Sequence, residues 1–411
     1  MKKYNLVGFI PKDYGSGGGA WLGTLRLFKE LDKSLGKNKV KLFVAIKNTK
    51  NTFVELLYPF SFSDISYYLM AGISKFINLI ILKKVNTHFS SNIVPSLLDP
   101  IVKIKDKEAH NLYFHWVGNN FISLWLIIYI TKRKNTLIKF ADYWWLTGGC
   151  HYPDNCMQFK NSKCIDCPLV RKPFKFIPKY LFKIKRQIVN KRNIYIISPS
   201  KHLYKSTLNC LNNLNVFHIP NGLEISPYKE RNFSNISIGI IAHGLQDKRK
   251  NIIQIKKIVN SLINEKSIVL NICGDCSKEI ISSIKKPIKC KINNFGYIKN
   301  ISKMKEFYFQ SNHILFLSLA DNSPNQILEA MSNGSIMISY KNSFSSEHII
   351  DNLNGFLLSP KLSINNLHKE IIKIVNLENS IEISKEAFKY AFSKFTTSKM
   401  ADAYWKLIDL K

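Results

Sequence analysis

A chain of 411 residues with 45% apolar side chains holds more than one hydrophobic core can use, so two domains are expected. Its formal charge of +32 implies attraction to polyanions, whether phosphorylated ligands or an anionic membrane surface. The lysines are scattered over both halves instead of stacked in one arm, which argues against a dedicated nucleic-acid reader and suits a membrane-apposed enzyme. A composition rich in Lys, Asn and Ile would give the same charge without any partner. Eight cysteines are too few for the disulfide framework of a small secreted protein, and the first apolar run is too short for a signal peptide. A cytoplasmic protein is expected, peripheral on the inner face of the plasma membrane if the charge is used there.

The chain opens with a short apolar run, residues 5–10, a turn-rich glycine loop, residues 11–19, and a helical pattern over residues 20–33. A second strand follows at residues 40–46. This strand, loop, helix, strand order is a βαβ unit and demands a parallel sheet covered by helices. Residues 65–82 and 113–130 are apolar enough to suggest membrane spans, but Lys75 in the first and His115, Asn119 and Asn120 in the second favour buried core helices. The α/β rhythm returns with strands expected at residues 236–242, 268–273, 313–319 and 334–340, and a helix at 252–263. Pro220, Asn221, Gly222 and Pro227 break the pattern between the halves and mark a linker. The expected division is 1–218, then 219–385, then a C-terminal helical stretch, 386–411, packing back on the first domain. The first domain carries a cysteine-bearing insertion at 150–167.

Residues 321–331, DNSPNQILEAM, follow an expected strand directly. Ser323 is a good N-cap, Pro324 suits the first helical position, and Gln326 completes a capping box. A diphosphate would sit well at such a helix start, which lies at the carboxyl ends of the strands. Asp321 and Glu329 stand eight positions apart across this junction, and spacing alone leaves them ordinary turn and helix residues. Arg249 and Lys250 fall in the loop after the strand at 236–242, where cations can neutralise a departing diphosphate or form a solvated basic loop. Gly15, Gly17 and Ala20 fit a dinucleotide-binding pattern, but the second strand ends Ile46, Lys47, Asn48, without the acid that a ribose needs. Gly17, Gly18 and Gly19 then serve either close approach to a phosphate or acceptor, or a tight turn. Cys150, Cys156, Cys164 and Cys167 cluster with His151 and suggest a structural zinc, the alternatives being free thiols or a redox pair. Cys273 and Cys276 read as a plain turn. Trp144 and Trp145 suit a core or acceptor stacking equally.

Residues 316–339, FLSLADNSPNQILEAMSNGSIMIS, resemble the donor-site signature of glycosyltransferase family 4. The similarity extends through GFIPKDYGSGGGAW at 8–21, FHWVGNNFIS at 114–123, ADYWWLTGGCHY at 141–152, SPSKHL at 198–203, IPNGLE at 219–224 and DKRKN at 247–251. The cysteine block points to the bacterial capsular, exopolysaccharide or lipopolysaccharide type. The resemblance implies a GT-B fold, two Rossmann-like domains with parallel sheets facing across a cleft. It also implies a retaining transfer of sugar from a UDP- or GDP-sugar to a glycan or lipid-linked acceptor, with no cofactor required for catalysis. By that resemblance Asp321, Lys250 and Arg249 are catalytic, and Gly17, Gly18, Gly19, Ser323, Asn325 and Glu329 hold the donor. Asp142 and His115 contact sugar or acceptor. The chain departs from the family at Ala141, where a histidine is usual, at Leu245 for an arginine, and at Asp321 for a glutamate. Those departures keep open a non-catalytic relative acting as a polyanion- or glycan-binding scaffold.

Overall fold

The computed structural model describes residues 3–13, 19–36, 38–59, 61–84, 88–161, 163–285, 287–342 and 344–409. In chain order the first elements are β1 (Tyr4–Lys12), α1 (Gly19–Leu35), β2 (Val40–Ile46), β3 (Val54–Leu56), α2 (Ser61–Ile81) and α3 (Asp99–Lys105). Next come β4 (Ala109–Phe114), α4 (Leu124–Ile130), β5 (Thr136–Lys139), α5 (Gln158–Asn161), α6 (Phe176–Val189), β6 (Ile194–Ser198), α7 (Lys201–Cys210) and β7 (Val216–His218). The seven strands pair in the order β3-β2-β1-β4-β5-β6-β7, all parallel. Both faces are covered, which is why β2 reads VKLFVAI with only Lys41 less than fully buried. Phe43 and Ala45 point to a core shared with α2, α3, α4, α6 and α7, whereas Leu42 and Val44 point to one shared with α1. Gly8 on β1 lets α1 approach, since a Cβ there would stand 2.5 Å from the Phe28 ring.

The second set is β8 (Ile236–Ile241), α8 (Ile252–Leu262), β9 (Ile268–Cys273), α9 (Ser277–Ser282), β10 (Lys291–Gly296) and α10 (Ile301–Gln310). It continues with β11 (His313–Phe316), α11 (Asn325–Ser332), β12 (Ile336–Tyr340), β13 (Gly355–Leu358), α12 (Ile364–Val375) and α13 (Ser380–Lys394). Its six parallel strands run β10-β9-β8-β11-β12-β13. Core side chains of α8, α9 and α12 pack on one face, and those of α10, α11 and α13 on the other. Arg231, just before β8, is buried and donates to the carbonyls of Asn333, Tyr308, Phe309 and Ser311 at 2.9, 3.1, 2.8 and 2.7 Å. Burial pulls its guanidinium down to about 10, yet four carbonyl dipoles hold it in its charged form.

The chain divides into two units, Met1–Gly222 with Thr397–Lys411, and Leu223–Thr396. The expected first boundary, 218/219, lies a few residues early. The second, 385/386, would cut α13, whose Ala387 and Ala391 are buried in the second unit. Only α14 (Thr397–Asp409) joins the first unit, where Met400, Tyr404, Leu407 and Ile408 pack with α1. Two other expectations change. Residues 113–130 are not one helix: they contain the end of β4, a loop and the short α4. Residues 65–82 do form a helix, α2, but it is not a buried core helix, because its large apolar side chains lie largely exposed.

Candidate functional site

In each parallel sheet the strand order reverses once, and the loops flanking that reversal open the crevice where α/β sheets bind ligands. In the second sheet the reversal lies between β8 and β11. The loop after β8 runs into a single 3₁₀ turn, Lys248–Lys250, and leaves it through Asn251 in the left-handed conformation at φ 57°. Asn251 ties this turn to the end of β11 by donating to the Leu317 carbonyl at 3.1 Å, and the Leu319 N–H donates to the Arg249 carbonyl at 2.7 Å. So anchored, Lys250 places its Nζ 2.9 Å from the Asp321 carboxylate, joining the two loops across the reversal. Both side chains keep part of their surface in solvent, 24% and 18%.

Arg249 has a different setting. Asp247 caps its N–H and takes its guanidinium through Nε at 3.1 Å and NH2 at 2.6 Å, a local bidentate pair. The two cations predicted together are thus brought to one turn but given different acids.

The structure corrects the expected start of α11. The helix begins at Asn325 with Pro324 as its N-cap, in extended conformation and with no side-chain cap. Ser323 therefore sits one position too early to cap, and the capping box with Gln326 does not form. Asp321 turns back locally instead: its second oxygen accepts the N–H groups of Asn322 and Ser323 at 2.7 and 3.3 Å. The helix start faces the crevice end of the sheet without a side-chain cap, which leaves its dipole available to an anion. Glu329 lies in the second turn, half-buried, and accepts from the Tyr308 hydroxyl at 3.3 Å.

Asp275 and His243, which belong to no motif recognisable in the sequence, complete this edge. Gly274, read as part of a plain turn, adopts φ 117°, and a Cβ there would collide with the Ala242 carbonyl at 1.9 Å. That close approach sets Asp275 against His243: the carboxylate accepts the Gly244 N–H at 3.0 Å and lies 3.3 Å from the imidazole. Burial pushes the Asp275 carboxyl up, but bonds from the Cys276 thiol, the Gly244 N–H and His243 outweigh it and hold it low. Burial lowers His243, more than Asp275 raises it.

In the first sheet the reversal lies between β1 and β4. Gly17 and Gly18 lie outside the described residues, and Gly19 is the first residue of α1. His115, after β4, is buried and bonds Thr24 of α1 at 2.6 Å, so in this structure it is packed inside the unit instead of open to a ligand. Burial and then the Lys139 charge hold its imidazole well below the usual range. Lys139, at the end of β5, belongs to no motif that the sequence alone would mark. It is fully buried, donates to the Asn221 side chain at 2.5 Å, and is pulled by burial, with the Arg26 charge adding to it, down to about 7. Asp142 is also buried. It accepts the Trp144 N–H at 2.8 Å and pairs with His151 Nδ1 at 2.7 Å, while His151 Nε2 meets Ser90 at 2.9 Å. His151 is thus the imidazole that stands beside Asp142, in place of one at Ala141. Trp144 and Trp145 are both core residues.

The cysteine insertion is partly gathered. Cys150, Cys164 and Cys167 are buried and Cys156 is half-buried, all as free thiols. The Cys150 thiol donates to Cys167, which favours the Cys167 thiolate and disfavours the Cys150 one, and the Gly148 N–H donates to the Cys164 sulfur at 3.2 Å. Among the described residues no group of three or more His, Cys, Asp or Glu side chains is disposed to hold a metal ion, so the expected four-thiolate zinc set is not assembled here.

With this geometry in view, likeness to solved structures defines the fold as GT-B. HepE from Anabaena, solved with UDP and glucose, matches at TM-score 0.63 with 14% identity over 98% of each chain. A glycosyltransferase from Rickettsia africae matches at TM-score 0.59 with 15% identity over the whole of both chains. WaaG, a glycosyltransferase involved in lipopolysaccharide biosynthesis, matches at TM-score 0.63 with 11% identity over 99% of this chain and 100% of its own. Residues 238–392, nearly all of the second unit, match the family of glycosyl transferases group 1. No curated protein matches the sequence. A glycosyl transferases group 1 domain within a GT-B fold makes the protein a glycosyltransferase.

Proposed function

We propose that the protein transfers a sugar, with retention of anomeric configuration, from a UDP- or GDP-sugar to a glycan or lipid-linked acceptor in the synthesis of a surface polysaccharide. The observation that carries this reading is the Lys250–Asp321 pair, which bridges the strand-order reversal of the second sheet beside the start of α11. When a nucleoside diphosphate enters, Lys250 turns from Asp321 to the phosphates, and the uncapped helix start supplies the remaining positive field. Charge grows on the leaving diphosphate during transfer, so a cation placed there acts more strongly on the transition state than on the bound donor. Released from Lys250, Asp321 accepts hydroxyls of the transferred sugar, and Glu329 accepts those of the ribose. Ser323 and Asn325 line the helix start. Arg249, held by Asp247, keeps a second cation one residue from Lys250. HepE, solved with UDP and glucose, supports a nucleoside diphosphate as the donor half.

Thermal shift of the purified protein against UDP-, GDP- and ADP-sugars tests the reading. Binding at about 100 times Kd stabilises by roughly 2.7 kcal/mol, and one nucleotide series should raise Tm while the others do not. Absence of any shift, together with no transfer or donor hydrolysis, removes it.

A further inference from the structure

The second helix of the first unit is packed inside out. On α2 the side chains turned to the sheet include Ser63, Ser66 and Ser74, with Tyr67, Met70 and Ile81, and the hydroxyls of Ser63 and Ser74 find no partner there. The large apolar residues face solvent: Phe62, Ile65, Leu69, Phe76 and Leu79 are each about half or more exposed. Their spacing of three, four, seven and three residues keeps them in one stripe along the helix. Isolated exposed apolar residues are ordinary on a protein surface, but a stripe five residues long marks an interaction site.

Two further helices on the same side of the sheet expose aromatic side chains. The helices α2, α4 and α6 bury their inner sides in the same core, on one side of the seven-stranded sheet. On their outer sides α4 exposes Trp125 and Tyr129, and α6 exposes Phe176 and Tyr180, with Trp125 and Tyr180 in contact at 6.0 Å between ring centres. Charge on this side is mostly basic, with Asp166, paired with Lys175 just before α6, as an exposed acid among the lysines. Neither α4 nor α6 contains an acidic residue, α2 contains only Asp64, and exposed Lys75, Lys83, Lys103, Lys179 and Lys183 stand among the aromatic and aliphatic side chains. Among the described residues no helix is long and apolar enough to cross a membrane.

Apolar and aromatic side chains interleaved with lysines on an otherwise folded surface match a bilayer interface, where acyl chains take the former and anionic headgroups the latter. We propose that the outer face of α2, continued by α4 and α6, docks the protein on an anionic lipid surface, with the α2 stripe entering the headgroup boundary. A second copy of the chain would bury the apolar stripe equally well, but it would bring like charges together across the contact, which costs free energy instead of supplying it.

Flotation of the full-length protein with vesicles tests this directly. At about 0.15 M salt the protein should float with phosphatidylglycerol–phosphatidylcholine vesicles and at least tenfold less with phosphatidylcholine alone. The triple change Ile65→Glu, Leu69→Glu and Phe76→Glu should lower binding to the anionic vesicles at least tenfold. Because all three side chains are exposed, it should leave the urea midpoint and the nucleotide thermal shift in place. Lys75→Glu with Lys103→Glu and Lys179→Glu should weaken binding while keeping the stripe, and so separates the two contributions. Equal flotation by wild type and the triple variant, or a concentration-dependent dimer that the triple variant abolishes, overturns the proposal. Flotation reads no sugar chemistry, so its failure leaves the donor reading standing, and a failed donor screen leaves this one standing.

Discussion

Two lysines stand at the carboxyl ends of the two sheets and have opposite surroundings. Lys250 reaches across the reversal of the second sheet to an acid, Asp321, with a quarter of its side chain in solvent. Lys139, after β5 in the first sheet, is sealed from water and has an amide, Asn221, for its partner. A paired, solvated cation can exchange its carboxylate for a phosphate at small cost, because the charge is hydrated and compensated before and after. A sealed cation must lose its proton or weaken the fold. The contrast shows that position at a strand end is not enough: access and a displaceable partner are what single out Lys250, and not Lys139, for the donor role proposed above.

The largest expected effect separates the two residues by function. Lys250→Ala should lower kcat by roughly 10² to 10³-fold, the size found when one charge-stabilising donor is removed, with little change in Tm; steady-state kinetics on the identified donor measures it. A loss confined to KM would place Lys250 in donor binding alone and blur the contrast. Arg231 sharpens the comparison from the side of stability, as a buried cation that keeps its charge by holding four carbonyls. Arg231→Ala leaves those carbonyls unsatisfied and should cost about 3 kcal/mol in urea unfolding. Glu329→Ala should raise the donor Kd roughly tenfold by calorimetry and leave kcat within a few-fold, as expected for a hydrogen bond to a charged group made equally in ground and transition states.

The smallest effect is a pH slope. Lys139 titrates near 7 in the folded protein against 10.5 in the unfolded chain. Between those values the unfolded chain carries the additional proton, so stability rises with pH across the window and is flat, for this group, below and above it. Lys139→Met should remove up to about 1.4 kcal/mol per pH unit from the slope of urea stability between about pH 7 and 10. Lys185, buried and likewise pulled to about 7, should preserve its own share, so the slope is reduced and not abolished. An unchanged slope would mean that Lys139 keeps its proton and that the contrast with Lys250 is one of access alone.

The amino-acid order by itself determined the elements whose residues admit one reading. Strands such as β2 and β9 are short runs dominated by apolar side chains, each broken by one polar residue, so their bounds, their parallel pairing and the α/β class follow from composition and rhythm. It also placed Arg249, Lys250, Asp321 and Glu329 at loop and helix junctions. What Lys250 and Glu329 face was left to the tertiary structure, because their partners, Asp321 and Tyr308, come from other segments of the chain, whereas Arg249 takes Asp247 from its own turn and Asp142 takes His151 from the loop that follows it. The tertiary structure decided the helix start as well, where an extended Pro324 displaced Ser323 from the cap. It decided the direction of α2 too, since periodicity shows that a helix has apolar side chains but cannot say whether sheet or solvent receives them. There three serines fitted against the core beside Tyr67, Met70 and Ile81, and Phe62, Ile65, Leu69, Phe76 and Leu79 were left outside.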